Sequence, residues 1–523
     1  MRSSGSKCVA EAPPSLSGPL PVIPGTSIDF THLCEGNDPP CDSEIPFIRD
    51  IISEALTRVD ALDAQIRDSN EIPTRLVEER AEAMESVRKH RGILSPVRRM
   101  PPELVCGIFA LLLEHDDEIL PKPLWHLGHI CRSWRLFVLG DTQFWSCITI
   151  PTAPLRPGDC AMIETQLLRS ANAPLKVHWI ANDNGHTMDP RMAGLVVAEC
   201  SRWTSLRLGV RSSEALDWLR PVNGRLASLQ KLEVFHGYNV VVPDVFWIVP
   251  NLRKVNLGQW PLDLQEASPK ISIPWGQITH YRGTHTGSSQ LSIVRAAPSL
   301  VQSILGFEDS LFPAHSSITL PHLRSLYISD AHILEYLSTP VLEDLFYTDL
   351  PATHTSRLLS FVRSSQCSLV LKTLVLMDCC IDPDLITVLR DLPNLALLFI
   401  ETSSQEQGQP AFFDAMTISG TSLDNACPNV TSLSYGVTRD FPHDRFFAMV
   451  QSRIALPNSR FTRLRVFDVN GYLESDQMSG PTGIDSWIRR LREEGLDAIF
   501  LGEDDVDDLA AEASFHVDRL LRS

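Results

Sequence analysis

The chain carries few of the motifs that announce chemistry. Its 523 residues hold no phosphate-binding glycine loop, no G-x-G-x-x-G turn, no G-x-S-x-G elbow and no H-E-x-x-H helix. The twelve cysteines include no Cys-x-x-Cys pair and no Cys/His cluster at zinc spacing. His126 and His129 lie three apart on one helix without a carboxylate at metal spacing. Asp504, Asp505, Asp507 and Asp508 lack the glycine and terminal glutamate of a calcium loop. No catalytic, cofactor-binding or metal-ligating residue is therefore expected. Long apolar runs are missing too: LVCGIFALLL and VVVPDVFWIVP stop at roughly ten residues, far short of a bilayer span. The N-terminus lacks the apolar core of a signal peptide. Positive charge is scarce: 46 Lys and Arg against 64 Asp and Glu give a net charge of −18, the wrong sign for gripping a nucleic-acid backbone. These absences predict a protein of the cytoplasm and/or nucleus with reduced, mostly buried thiols. They also predict no membrane or nucleic-acid partner, and an Asn429-Val430-Thr431 sequon left unmodified.

What is present falls into segments. Residues 1–43 are rich in Pro, Ser and Gly, a composition that cannot repay the entropy of ordering, and read as a disordered leader. Over 44–92 the pattern turns helical and coiled-coil-like. Ile48, Ile52, Ala55, Val59, Leu62 and Ile66 step by four and three. Pro73 should break the helix, and TRLVEERAEAMESVRKH continues it with a thinner seam in which Arg80 falls in register. Such a seam serves either dimerisation or packing in cis. The shortage of clean heptads favours packing in cis.

Residues 95–149 hold the most apolar side chains for their length. Pro102 suits the first turn of a helix and Glu103 meets its positive end. Leu104, Ile108, Leu111 and Leu112 then form one stripe, which Val105 and Phe109 widen beyond what one partner helix covers. After Pro121 and Pro123 a second helix should place Leu127, Ile130 or Cys131, Trp134 and Val138 on one face. So small a unit cannot hide that much apolar surface by itself. The ordered set Met100-Pro101-Pro102-Glu103-Leu104, Ile108-Phe109, Ile130-Cys131-Arg132-Ser133-Trp134-Arg135 and Phe144-Trp145 resembles an F-box. Met100, Ile130 and Phe144 stand where that family has Leu, Val and Leu. With a helical segment ending in HRGILSPVRR before the box and leucine-rich segments after it, the layout looks like the large F-box families of mushroom-forming fungi.

From residue 150 to 502 an L-x-x-L-x-L signature recurs with apolar substitutions. Copies begin at Trp203, Leu229, Leu252, Leu323, Leu342, Leu371, Leu395, Val430 and Leu464, with degraded copies at Ile278-Tyr281 and Leu300-Leu305. Several open on the same punctuation, as in Pro250-Asn251-Leu252, Pro298-Ser299-Leu300, Pro321-His322-Leu323, Pro393-Asn394-Leu395 and Pro428-Asn429-Val430. Proline forces its predecessor out of the helical region and hands the chain to a strand. The spacing fits a leucine-rich-repeat period. In the copy Leu371 to Ile381, Cys379 takes the place where such repeats use Asn or Cys to satisfy turn backbone. Trp487, Ile488, Leu491 and Leu496 mark a last helix and a short strand, and 503–523 reads as an acidic C-terminal helix. The predicted fold class is α+β / α/β multidomain: a helical coiled-coil-like segment, a small all-α box, then an irregular leucine-rich-repeat-like α/β solenoid.

The resemblance implies a Skp-type adaptor as partner, through it cullin and RING subunits, and an unknown protein substrate held by the repeats. The chain would then be a specificity subunit of a ubiquitin ligase, with no catalytic residue and no cofactor. The positions that match the family's adaptor interface are Pro101, Pro102, Leu104, Ile108, Leu112, Ile130 and Trp134. Some of these must instead hold the box together, Trp134 foremost. Candidate outward residues on the repeats are Arg207, Arg253, Arg324 and Lys372, which also read as ordinary solvent-facing strand residues. The alternative is a non-catalytic scaffold that binds the adaptor without ligase work.

Overall fold

A computed structural model describes residues 30–36, 39–68, 74–114, 124–151, 156–180, 188–210, 213–236, 241–259, 271–313, 317–348, 354–402, 408–419, 425–437, 441–456, 460–468 and 484–501. Pro73, the acidic run from Asp504 to Asp508 and the C-terminal helix expected over 503–523 lie outside them. The chain divides into two compact units, one formed by residues up to 114 and 124–140, the other by 115–123 and everything from 141 on.

Among the described residues the first unit is all-helical. Helices α2 (Ile45–Asp68) and α3 (Thr74–Ile93) form an antiparallel pair in cis. Ile48, Ala55, Val59 and Leu62 are buried, as are Ala83, Val87 and Ile93 on α3. Arg80 falls in register with the thin apolar seam, and its guanidinium is met by Asp63 at 2.5 Å and 3.3 Å. That ion pair draws the Asp63 carboxyl below the usual carboxylate range. Inside the expected disordered leader, residues 31–35 form helix α1 (Thr31–Glu35). Phe30 and Leu33 anchor it against Ile48, Ile51 and Ile93, and Arg98 donates to the Leu33 carbonyl at 2.9 Å. Two large apolar side chains spaced for one helix face outweigh the Pro/Ser composition around them. Helices α4 (Pro102–Glu114) and α5 (Arg132–Gly140) complete the unit, with a 3-10 turn at Leu124–His129 between them.

The second unit is a mixed helix-and-strand domain built on one large parallel sheet. Its strands are β1 (Cys147–Ile150), β2 (Leu175–Ile180), β3 (Trp203–Val210), β4 (Lys231–His236), β5 (Lys254–Gln259), β6 (His280–His285), β7 (Gln302–Phe307), β8 (Ile318–Thr319), β9 (Ser325–Ile328), β10 (Leu337–Ser338), β11 (Asp344–Thr348), β12 (Thr373–Cys379), β13 (Leu397–Thr402), β14 (Ser432–Val437), β15 (Arg463–Asp468) and β16 (Asp497–Leu501). Fourteen of them pair in strict chain order, while β8 and β10 form a separate parallel pair. The connections carry helices, among them α6 (Asp159–Arg169), α7 (Pro190–Ala198), α8 (Gly287–Ala296), α9 (Thr355–Ser365), α10 (Pro383–Arg390), α11 (Gln409–Met416), α12 (His443–Ile454) and α13 (Ile484–Glu493).

Strand alternation sorts the side chains. Leu206, Leu232, Val255, Tyr281, Leu326, Leu345, Leu374, Leu398, Leu433 and Leu464 belong to one cross-strand row, each at most 3% exposed. Up to Leu433 these are the second apolar positions of the L-x-x-L-x-L copies, with Ser303 holding that place on β7. In the last copy the register puts Leu464, expected as the first position, in the second, and Phe467 faces the other way. Every full or degraded copy contributes to a strand of the sheet. The degraded copy on β6 is repaired in place. Gly283 leaves room where a Cβ would come within 2.3 Å of the Tyr281 hydroxyl. That hydroxyl donates to Gln290, whose amide donates to the carbonyls of Gly283 and Gly306.

The punctuation has a structural cause as well. In three copies the Asn after proline donates to a carbonyl one coil back: Asn251 to Ala227 at 2.7 Å, Asn394 to Leu369 at 2.8 Å and Asn429 to Pro393 at 2.9 Å. Ser299 does the same to Gly276 at 2.7 Å. Buried Arg453 is a larger version. It donates to the carbonyls of Met416, Ala426 and Cys427 at 2.8–3.0 Å, and burial draws its guanidinium down to about 10.

The boundary between the units differs from the expected 149. Phe144 and Trp145 belong to the second unit, where both are buried and the Arg169 guanidinium lies 4.4 Å from the Trp145 ring centre. Cys147–Ile150 is already the first strand of the sheet. A 3-10 turn over Thr142–Trp145, capped by Asp141, leads straight into it.

Candidate functional site: an uncovered apolar face

Helix α4 begins at Pro102, with Pro101 supplying the carbonyl that receives the Leu104 and Val105 amides. Its side chains divide by angle. Val105 and Phe109 point inward and are 3% and 2% exposed. Leu104, Ile108 and Leu111 point outward and are 58%, 47% and 60% exposed. Pro101 and Pro102 are exposed as well, and the side chain of Leu112 lies outside the described residues.

The second helix departs from expectation. Instead of one helix from Pro123, the chain makes a 3-10 turn over Leu124–His129 and restarts as α5 at Arg132. The change of pitch at residues 130–131 rotates Ile130 off the Val138 face, so Val138 is buried while Ile130 is 54% exposed. The Cys131 sulfur accepts the Trp134 amide, and Arg135 ties back to the Gly128 carbonyl at 2.9 Å. Trp134 is half-buried and meets Phe109 edge-on, ring centres 4.7 Å apart at 72°. It therefore joins the two helices. Leu136 and Leu139 add 65% and 46% exposure on α5, two residues that sequence reasoning passed over. Their i, i+3 spacing was the signal.

On the sheet, the four expected outward residues have separate fates. Arg207 is buried in an ion pair with Glu233 at 2.7 Å, and Lys231 adds a second cation to that carboxylate at 3.1 Å. Arg253 donates to the carbonyls of Pro250 and Leu252. Arg324 and Lys372 share Glu343, whose carboxyl is held below the usual range chiefly by the Lys372 hydrogen bond. On the sheet face opposite the leucine row, Phe346, Val375, Phe399 and Phe467 form a second, smaller buried cluster.

Cys379 and Cys380 are free thiols. Burial pushes the Cys379 thiol far up. The Cys427 sulfur lies 3.1 Å from the Leu389 carbonyl. His126 and His129 are exposed. Asp330, His332 and His354 gather their ligand atoms within 4.8 Å of one another, the one such cluster among the described residues. Both Asp330 oxygens are occupied there, one by the His332 amide and ring, the other by the Ser310 hydroxyl. That arrangement is the cap of a 3-10 turn. Among the described residues no helix is long and apolar enough to cross a membrane.

Compared with known proteins, the chain matches no family model and no curated protein.

Proposed function

We propose that the chain is the substrate-recognition subunit of a cullin–RING ubiquitin ligase. In this reading residues 95–149 carry an F-box that docks on a Skp-type adaptor through its helices α4 and α5. The sheet domain is a leucine-rich-repeat-like solenoid that holds a protein substrate. The observation that supports it is the division of labour on α4 and α5. Val105, Phe109 and Val138 are buried and Trp134 meets Phe109 edge-on, while Leu104, Ile108, Leu111, Ile130, Leu136 and Leu139 are about half exposed or more. Isolated exposed leucines need no explanation, but this many on two short helices is the composition of an interface core. The strictly sequential parallel sheet supports the second half, since stacked coils expose one long face to partners. The ligase would then act by proximity, raising the concentration of substrate lysines near a carrier enzyme.

The test is co-expression with a Skp-type adaptor, followed by affinity capture and mass spectrometry for cullin. Leu104→Asp with Ile108→Asp should abolish adaptor capture while circular dichroism stays unchanged. Each central anchor cut to alanine should cost about 2 kcal/mol of binding or more. Adaptor capture that survives the double charge removes the interface assignment. Adaptor without cullin would leave a scaffold.

A further inference from the structure

Strand register gathers basic side chains on the sheet face opposite the leucine row. Lys231 pairs with Lys254 and Lys254 with His280, while Asn256, two residues along from Lys254, pairs with Arg282. Neighbouring strands lie about 4.8 Å apart, and like charges placed directly opposite destabilise a sheet. Glu233 is the nearby carboxylate, and Arg207 and Lys231 both use it already. Among the described residues neither Lys254 nor Arg282 has a carboxylate partner. Burial and the Lys231 charge hold the Lys254 ammonium below the usual lysine range. Burial and the Lys254 charge push His280 down to about 4. A chain of net charge −18 has carboxylates to spare, yet among the described residues Lys254 and Arg282 go without. An arrangement that costs stability and is not neutralised internally is a mark of a binding site.

We infer that Lys254 and Arg282, with Lys231 beside them, bind an acidic, extended peptide segment of a partner protein. This rests on reading the sheet domain as the substrate-holding arm. The spread of the charges favours a run of Asp and Glu over one phosphoryl group. Lys231, Lys254 and Arg282 span two strand steps and one two-residue step along the strand, roughly 8–12 Å. A phosphoryl group concentrates its charge at one point, whereas alternate side chains of an extended peptide recur about every 6.7 Å. At physiological salt the acidic remainder of the chain is screened beyond about 8 Å, so the local cations decide.

Fluorescence anisotropy of the full-length chain with a fluorescein-labelled Asp/Glu decapeptide tests this. Binding should weaken as salt rises, and Lys254→Gln with Arg282→Gln should weaken it tenfold or more. Arg390→Glu, at the exposed last residue of helix α10, should not. Equal affinity of wild type and the Lys254/Arg282 variant overturns the proposal. Tighter binding of single-stranded RNA, or of a singly phosphorylated neutral peptide, overturns the choice of partner. Adaptor capture by the same variant should be unchanged. Peptide binding without adaptor capture would fault the ligase reading and spare this site, while the reverse would fault this site alone.

Discussion

Helix α4 and strand β12 are both leucine-rich, and they dispose of their leucines in opposite ways. On β12, Leu374 and Leu376 are fully buried, because a parallel neighbour on each side and helices over one face close around them. On α4, Leu104, Ile108 and Leu111 keep about half their surface or more in water, while Val105 and Phe109 on the other face are buried. The same residue types are thus enclosed in one region and left in water in the other. Burial is decided by how many elements surround a position, not by the hydrophobicity of the residue in it.

Substitutions that exchange the two environments sharpen this contrast. Leu398→Asp puts a charge into the leucine row and should cost more than about 4 kcal/mol, read as loss of the cooperative urea transition. Arg453→Met strips three carbonyls of their donor and should cost about 3 kcal/mol by the same measurement. Removing one coil-to-coil bond at an exposed site, as in Asn394→Ala, should cost about 1 kcal/mol.

Acid provides a further contrast. The native state refuses a proton on His280 until about pH 4, whereas the unfolded chain takes one up near 6.5. Stability should therefore fall as pH drops from 6.5 toward 4, by about 1 kcal/mol once solvent screening is allowed for. His280→Asn should remove that share of the slope in melts run across this range. The smallest effect belongs to α4. Leu104→Asp with Ile108→Asp should move stability by no more than about 0.5 kcal/mol in urea, in contrast to its expected effect on adaptor capture.

The leucine copies were legible because a strand buried on its helix side must repeat apolar residues at alternate positions. Even the copies at Ile278 and Leu300 fell on strands. The two strands of the large sheet that were missed, Cys147–Ile150 and Leu175–Ile180, carry Thr, Lys and His on their other positions; the short pair Ile318–Thr319 and Leu337–Ser338 was missed as well. The outward stripe of α4 could be read from spacing, yet which stripe faced in could not, because Val105/Phe109 and Leu104/Ile108 are equally apolar. Arg207, Arg253, Arg324 and Lys372 looked equivalent in sequence. Their differing partners come from residues a whole coil away or from local backbone geometry. The cation row went unseen for the same reason, since Lys231, Lys254 and Arg282 become neighbours only through register.

By itself the sequence determined a helical first unit, a repeating strand-and-helix second unit and the identity of the leucine row. These depend on local periodicity and on proline, which act within a few residues. Tertiary structure alone decided which apolar stripe was left uncovered, where one unit ended and the next began, and which charges were neutralised. Those outcomes depend on what each side chain meets across the fold.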